Sequence, residues 1–182
     1  MRRAVVGGLL APAAAWLAGC SPDHDWREVR ADDGGFLVSL PARPARMTRP
    51  INLEGLAVEM TMLGAQAREV AYTVGAIVLP DASAATRERA LGSMRTAMLR
   101  NIGGTERATR AVRVPRVDPA GQRIGEVDAL ELEAAGRMRE RDAVLIARFA
   151  GHGARAWQAV VLGPAPDREQ AATFLESLKL VG

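Results

Sequence analysis

Apolar side chains recur at every second position over much of this chain, the period of a half-buried strand. The stretch WREVRADDGGFLVSLP reads as a hairpin, with strands over 26–31 and 36–40 joined by Asp32-Asp33-Gly34-Gly35. Pro41 and Pro44 stop it, because proline lacks the N–H that a ladder needs. Residues 56–63 alternate cleanly, with Leu56, Val58, Met60 and Met62 on one face and Glu59 and Thr61 on the other. The run 70–79 is apolar on both faces toward its end, which suits a central strand, and Pro80 ends it.

The period then lengthens. After Asp81 or Ser83 as N-cap, Leu91, Met94, Met98 and Ile102 fall on one helical stripe that stops at Gly103. Four strand candidates follow, over 106–116, 123–133, 137–150 and 155–163, with Gly121, Gly136 and Gly151-His152-Gly153 as the turns. PDREQAATFLESLKL gives a second helix, capped by Asp167 with Gln170 three residues on, and burying Ala171, Phe174, Leu175 and Leu178. Strands and helices do not alternate strictly, so the fold class read from the pattern is α+β. The simplest architecture is a central antiparallel sheet of about six strands covered by two helices, with an N-terminal hairpin, all in one domain over 26–182.

Ahead of that domain the pattern is different again. Met1-Arg2-Arg3 is followed by fourteen uncharged residues, Ala4 to Leu17. A spanning helix needs about 20 apolar residues, and Pro12 disturbs this one, so the layout is that of a signal peptide over 1–19. Leu17-Ala18-Gly19-Cys20 resembles the lipobox of bacterial lipoproteins. The resemblance implies cleavage before Cys20, a diacylglycerol on its thiol and an acyl chain such as palmitate on its new amino terminus. The alternative, an ordinary secreted protein, leaves a lone thiol in an oxidising compartment. Residues 20–25 then form a short tether: the five after Cys20 reach about 17 Å when extended. Ser21 matches the sorting pattern of enteric outer-membrane lipoproteins, so the expected address is the periplasmic side of the envelope, at the outer membrane in preference to the inner.

Charge alters little. Of 24 basic residues only Lys179 is lysine, so arginine abundance is background. The formal charge of +3 loses Arg2 and Arg3 with the leader, which leaves a nearly balanced domain and no case for a nucleic-acid partner. A lipidated Cys20 leaves no cysteine for a disulfide, so packing must supply stability.

The phrases GFLVSLPARP, AYTVGAIVLP, ALGSMRTAMLRNIGG, RAWQAVVLGP and FLESLKL, in that order, resemble the PsbP-like domains of bacterial lipoproteins, the DcrB-like ones among them. That resemblance implies an α-β-α sandwich and an accessory or binding role. It transfers no metal ligands.

Candidate chemistry is sparse. His24 and His152 are the only histidines, and no metal-ligand spacing accompanies them. No serine stands in a nucleophile elbow, and no phosphate cradle occurs, so neither a catalytic residue nor a cofactor is expected. Glu131 and Glu133 read as the wet face of a strand. If 137–142 is a strand, Arg137, Arg139 and Arg141 share a face that could meet an anionic envelope partner, although a solvated hairpin end explains the same stripe. The leading expectation is a non-enzymatic, membrane-tethered module. Alternatives are a carrier of a small apolar ligand lined by Met60, Met62, Met94 and Met98, whose other reading is ordinary core, and a hydrolase with an unrecognised site.

Overall fold

The computed structural model describes residues 24–182; the expected signal peptide and Cys20 lie outside the described residues. The element order is β1 (Arg27–Ala31), β2 (Phe36–Leu40), β3 (Ala45–Leu53), β4 (Leu56–Ala67), β5 (Val70–Val78) and α1 (Ala84–Asn101). Then come β6 (Thr105–Val117), β7 (Arg123–Met138), β8 (Arg141–His152), β9 (Arg155–Gly163), α2 (Arg168–Ser177) and β10 (Lys179–Val181).

All ten strands join one sheet in the order β1-β2-β10-β6-β7-β8-β9-β5-β4-β3. Nine pairings join them, eight of them antiparallel; β10 lies parallel to β6, so the sheet is mixed. With 58% of the described residues in strands and 18% in helix, the fold is a curled half-barrel with two helices. This corrects the antiparallel six-stranded α+β expectation and the α-β-α sandwich that the resemblance implied. Two strands account for much of the difference. β3 carries Pro50, and it forms because it is an edge strand, where a missing N–H leaves no ladder bond broken on its outer side. β10 has three residues, and it inserts between β2 and β6 and so draws the N-terminal hairpin into the sheet.

The two helices pack on opposite faces. Along β9, Ala156 and Val160 point into the cluster that holds Ala90, Met94 and Ile102 of α1 or its flank. Trp157, Ala159 and Val161 point into the cluster that holds Ala171, Phe174 and Leu175 of α2. Ser83 caps α1, its hydroxyl accepting from the Thr86 N–H, and Asp167 caps α2 by accepting from the Gln170 N–H. The sheet curls so that the β1–β2 turn returns over β9. Trp157 donates its indole N–H to the Gly34 carbonyl at 2.7 Å, and Arg46 on the far edge strand reaches Asp33 at 2.5 Å.

Candidate functional site

The strongest assembly of charged side chains lies in a cleft of about 300 Å³ between α2 and strands β6, β7 and β8. Its floor is a row of three cross-strand neighbours, Arg110 on β6, Glu131 on β7 and Arg148 on β8. Arg148 is 5% exposed and Glu131 9%. Arg148 donates from Nε and Nη2 to Glu131 Oε2 at 3.1 and 2.6 Å, and from Nη1 to the Leu175 carbonyl in the last turn of α2 at 2.7 Å. Arg110 takes the other oxygen of Glu131 at 2.8 and 2.6 Å. Beside this row Arg168, in the first turn of α2, binds both oxygens of Glu133 at 2.8 and 2.7 Å.

Burying an arginine is tolerable only when its charge and donors are matched, and here they are. Glu131 and Glu133 have every oxygen occupied by a guanidinium, which leaves neither free to act as a general base. The arrangement fastens α2 to the sheet at both of its ends. It also corrects the reading of Glu131 and Glu133 as a wet face: both lie under α2. The sequence signal was Arg148 itself, a lone charge inside the apolar run AVLIARFAG.

Cys20, the expected lipid-attachment residue, lies outside the described residues. Arg137, Arg139 and Arg141 are described, but they do not form a stripe on one strand. β7 and β8 turn at Arg139-Glu140, both left-handed with φ of 49° and 66°, so Met138 pairs with Arg141 and Arg137 with Asp142. Arg137 and Arg141 therefore point to opposite faces, with Arg139 at the tip between them. Arg137 donates to the Glu140 carbonyl at 2.7 Å, and Arg141 pairs at 2.8 Å with Glu69 in the β4–β5 turn.

His152 stands exposed at the far end of β8, opposite Arg155. Partial burial, with the guanidiniums of Arg116 and Arg87, holds its imidazole below the ordinary histidine value. Met60 and Met94 are buried core residues, while Met62 and Met98 are partly buried against the same cluster. Among the described residues no three His, Cys, Asp or Glu side chains gather as a metal site. No described helix is long and apolar enough to cross a membrane.

Several carboxylates are held below their ordinary range: Asp33 by the hydrogen bond from Arg46, Glu69 by Arg141, and Glu133 by Arg168. Asp81 is lowered by hydrogen bonds from Ser83 and Thr86 at the start of α1. A carboxyl with a lower value in the folded than in the unfolded chain stabilises the fold while ionised, and that contribution is lost as pH falls through the folded value. Denaturant unfolding should therefore show a steep acid limb below about pH 4, beneath a smaller decline that sets in near about pH 6 because the His152 imidazole is harder to protonate in the folded chain. Asp81→Asn should make the acid limb shallower; an unchanged limb would contradict the assignment.

No family model matches the chain, and no curated protein sequence matches it. Among solved structures, the crystal structure of PA94, a Pseudomonas aeruginosa protein of unknown function, is similar over 80% of this chain and 90% of that one. The identity is 14% and the TM-score 0.40, a distance at which no functional argument passes between the two.

Proposed function

We propose that the protein is a lipoprotein of the bacterial cell envelope, anchored through acyl chains on Cys20 and facing the periplasm. There it acts as a non-enzymatic binding or accessory module for an envelope protein or an anionic envelope component. The observation that carries this reading is the coincidence at Leu17-Ala18-Gly19-Cys20: a basic start, an uncharged middle, and small residues before a unique cysteine. The way the domain begins adds support. Only five residues after Cys20, the chain is already docked, with the Asp25 N–H bonded to the Pro41 carbonyl at 2.8 Å and the Trp26 indole to Gln170 at 3.2 Å. A domain held so close to its anchor works on what lies at the membrane surface. Ser21 favours the outer membrane.

Replacing Cys20 with Ala should abolish palmitate incorporation in cells and move the protein from the membrane to the soluble fraction. Unchanged labelling would remove the lipoprotein reading. Recovery of the parent protein wholly in inner-membrane fractions would overturn the outer-membrane assignment alone.

A further inference from the structure

We infer that the end of the sheet carrying the β4–β5 and β7–β8 turns lies against the bilayer, with anionic phospholipid headgroups as its partner; this rests on the lipid anchor proposed above. The two turns are held together by the Arg141–Glu69 pair at 2.8 Å. The C-terminus of α1 reaches the same end, where the Arg137 N–H donates to the Ile102 carbonyl at 2.7 Å. The chain also enters the fold there: His24 packs its ring edge-on to Tyr72, 6.4 Å away, and Tyr72 is the third residue of β5 after the Arg68-Glu69 turn. Three residues separate Cys20 from His24, four steps along the chain that span about 14 Å at full extension. Strand β7 alone has 16 residues and is roughly 50 Å long. A bilayer-anchored Cys20 is therefore close to one end of the sheet and far from the other.

The chemistry of this end suits an interface. Met138 is 43% exposed and shares its face with Arg141 across the turn. Ala45, Gln66 and Ala71 begin there a shallow trough over β3, β4 and β5 that runs toward Met62 and Met47, the latter 56% exposed at mid-sheet. Gln66 lines both this trough and the hollow beside Met138 and Pro164, so the two apolar areas adjoin. Arginines stand around them: Arg43 borders the trough and Arg139 occupies the tip, and among the described residues neither forms an ion pair. A guanidinium without a carboxylate partner can bind a phosphodiester through two parallel hydrogen bonds. The methionine side chains beside it reach the boundary between headgroups and acyl chains. Since acyl chains on Cys20 already provide stable attachment, this surface orients the domain and directs its opposite end, with Ile124 and the β8–β9 turn, toward the periplasm.

Met138 and Ile124 lie toward opposite ends of β7 and are similarly exposed, which makes them a matched pair for a test. The lipidated full-length mature protein, carrying Met138→Cys or Ile124→Cys, is labelled with a small fluorophore; the acylated Cys20 does not react. In vesicles of phosphatidylglycerol and phosphatidylethanolamine containing a nitroxide-bearing lipid, quenching at position 138 should exceed that at 124 by about twofold or more. Arg43→Glu combined with Arg139→Glu should shrink that contrast, as should replacing the anionic lipid with phosphatidylcholine. Equal quenching at 138 and 124, with palmitate labelling intact, would overturn this orientation and leave the lipoprotein reading standing. Absence of palmitate on Cys20 would remove both.

Discussion

Replacing Glu131 with leucine should lower the unfolding free energy by about 3–5 kcal/mol, because it strands a buried guanidinium. Arg148 is only 5% exposed on the cleft floor, and Glu131 accepts two of its hydrogen bonds. Arg110 fares better in the variant, since its side chain is 67% exposed and can turn to solvent. Arg148→Met should also destabilise, by leaving Glu131 half-matched and the Leu175 carbonyl with only the long bond from the Leu178 N–H at 3.4 Å. The double replacement removes both buried charges, and its remaining cost is the loss of one of two bonds to the Leu175 carbonyl, about 1 kcal/mol. It should therefore be more stable than Glu131→Leu alone, with a coupling of about 2 kcal/mol in a double-mutant cycle by denaturant unfolding. Single replacements whose costs simply add would show that the three residues do not act as a unit.

This row was hidden from the sequence by one misplaced turn. Gly136 reads as a turn residue, but it lies within β7, for a different reason: a Cβ there would stand 2.3 Å from the Ile102 carbonyl oxygen and 2.8 Å from Gly104 Cα. It is glycine because the loop after α1 passes against the strand at that point. The true turn uses Arg139-Glu140, a left-handed pair of the kind that usually selects Asn-Gly, so the sequence carries no mark of it. Turning at 139–140 sets Glu131 opposite Arg148; turning at Gly136 sets a different register and leaves Arg148 without a visible partner. The same shift turned Arg137, Arg139 and Arg141 from two faces and a tip into an apparent stripe. Where local chemistry decides, the reading held: the 36–40 and 155–163 strands and the Ser83 and Asp167 caps are all present. β3 and β10 were missed because an edge position and a three-residue insertion are properties of the assembled sheet.

Phe174→Ala should cost about 3–5 kcal/mol by the same unfolding measurement, since it empties the centre of the α2-side core. Phe174 is fully buried and meets Tyr72 edge to face at 5.5 Å and 78°. Tyr72 in turn meets Trp26 edge to face at 6.0 Å, and Trp26 stacks on His24 at 5.9 Å. The cavity therefore opens beneath the ring stack that fixes the start of the domain. Tryptic cleavage at Arg27 should quicken in Phe174→Ala under conditions where the fold persists, and Phe174→Leu, which fills most of the space, should show a smaller change in both readouts. Loss of this docking lengthens the span between Cys20 and the first fixed residue, so the domain gains freedom to tumble on its anchor. In the vesicle measurement the quenching contrast between positions 138 and 124 should then diminish without any change to the lipid-facing surface. A stability loss below about 1 kcal/mol with unaltered cleavage at Arg27 would separate the core from the tether and defeat the argument.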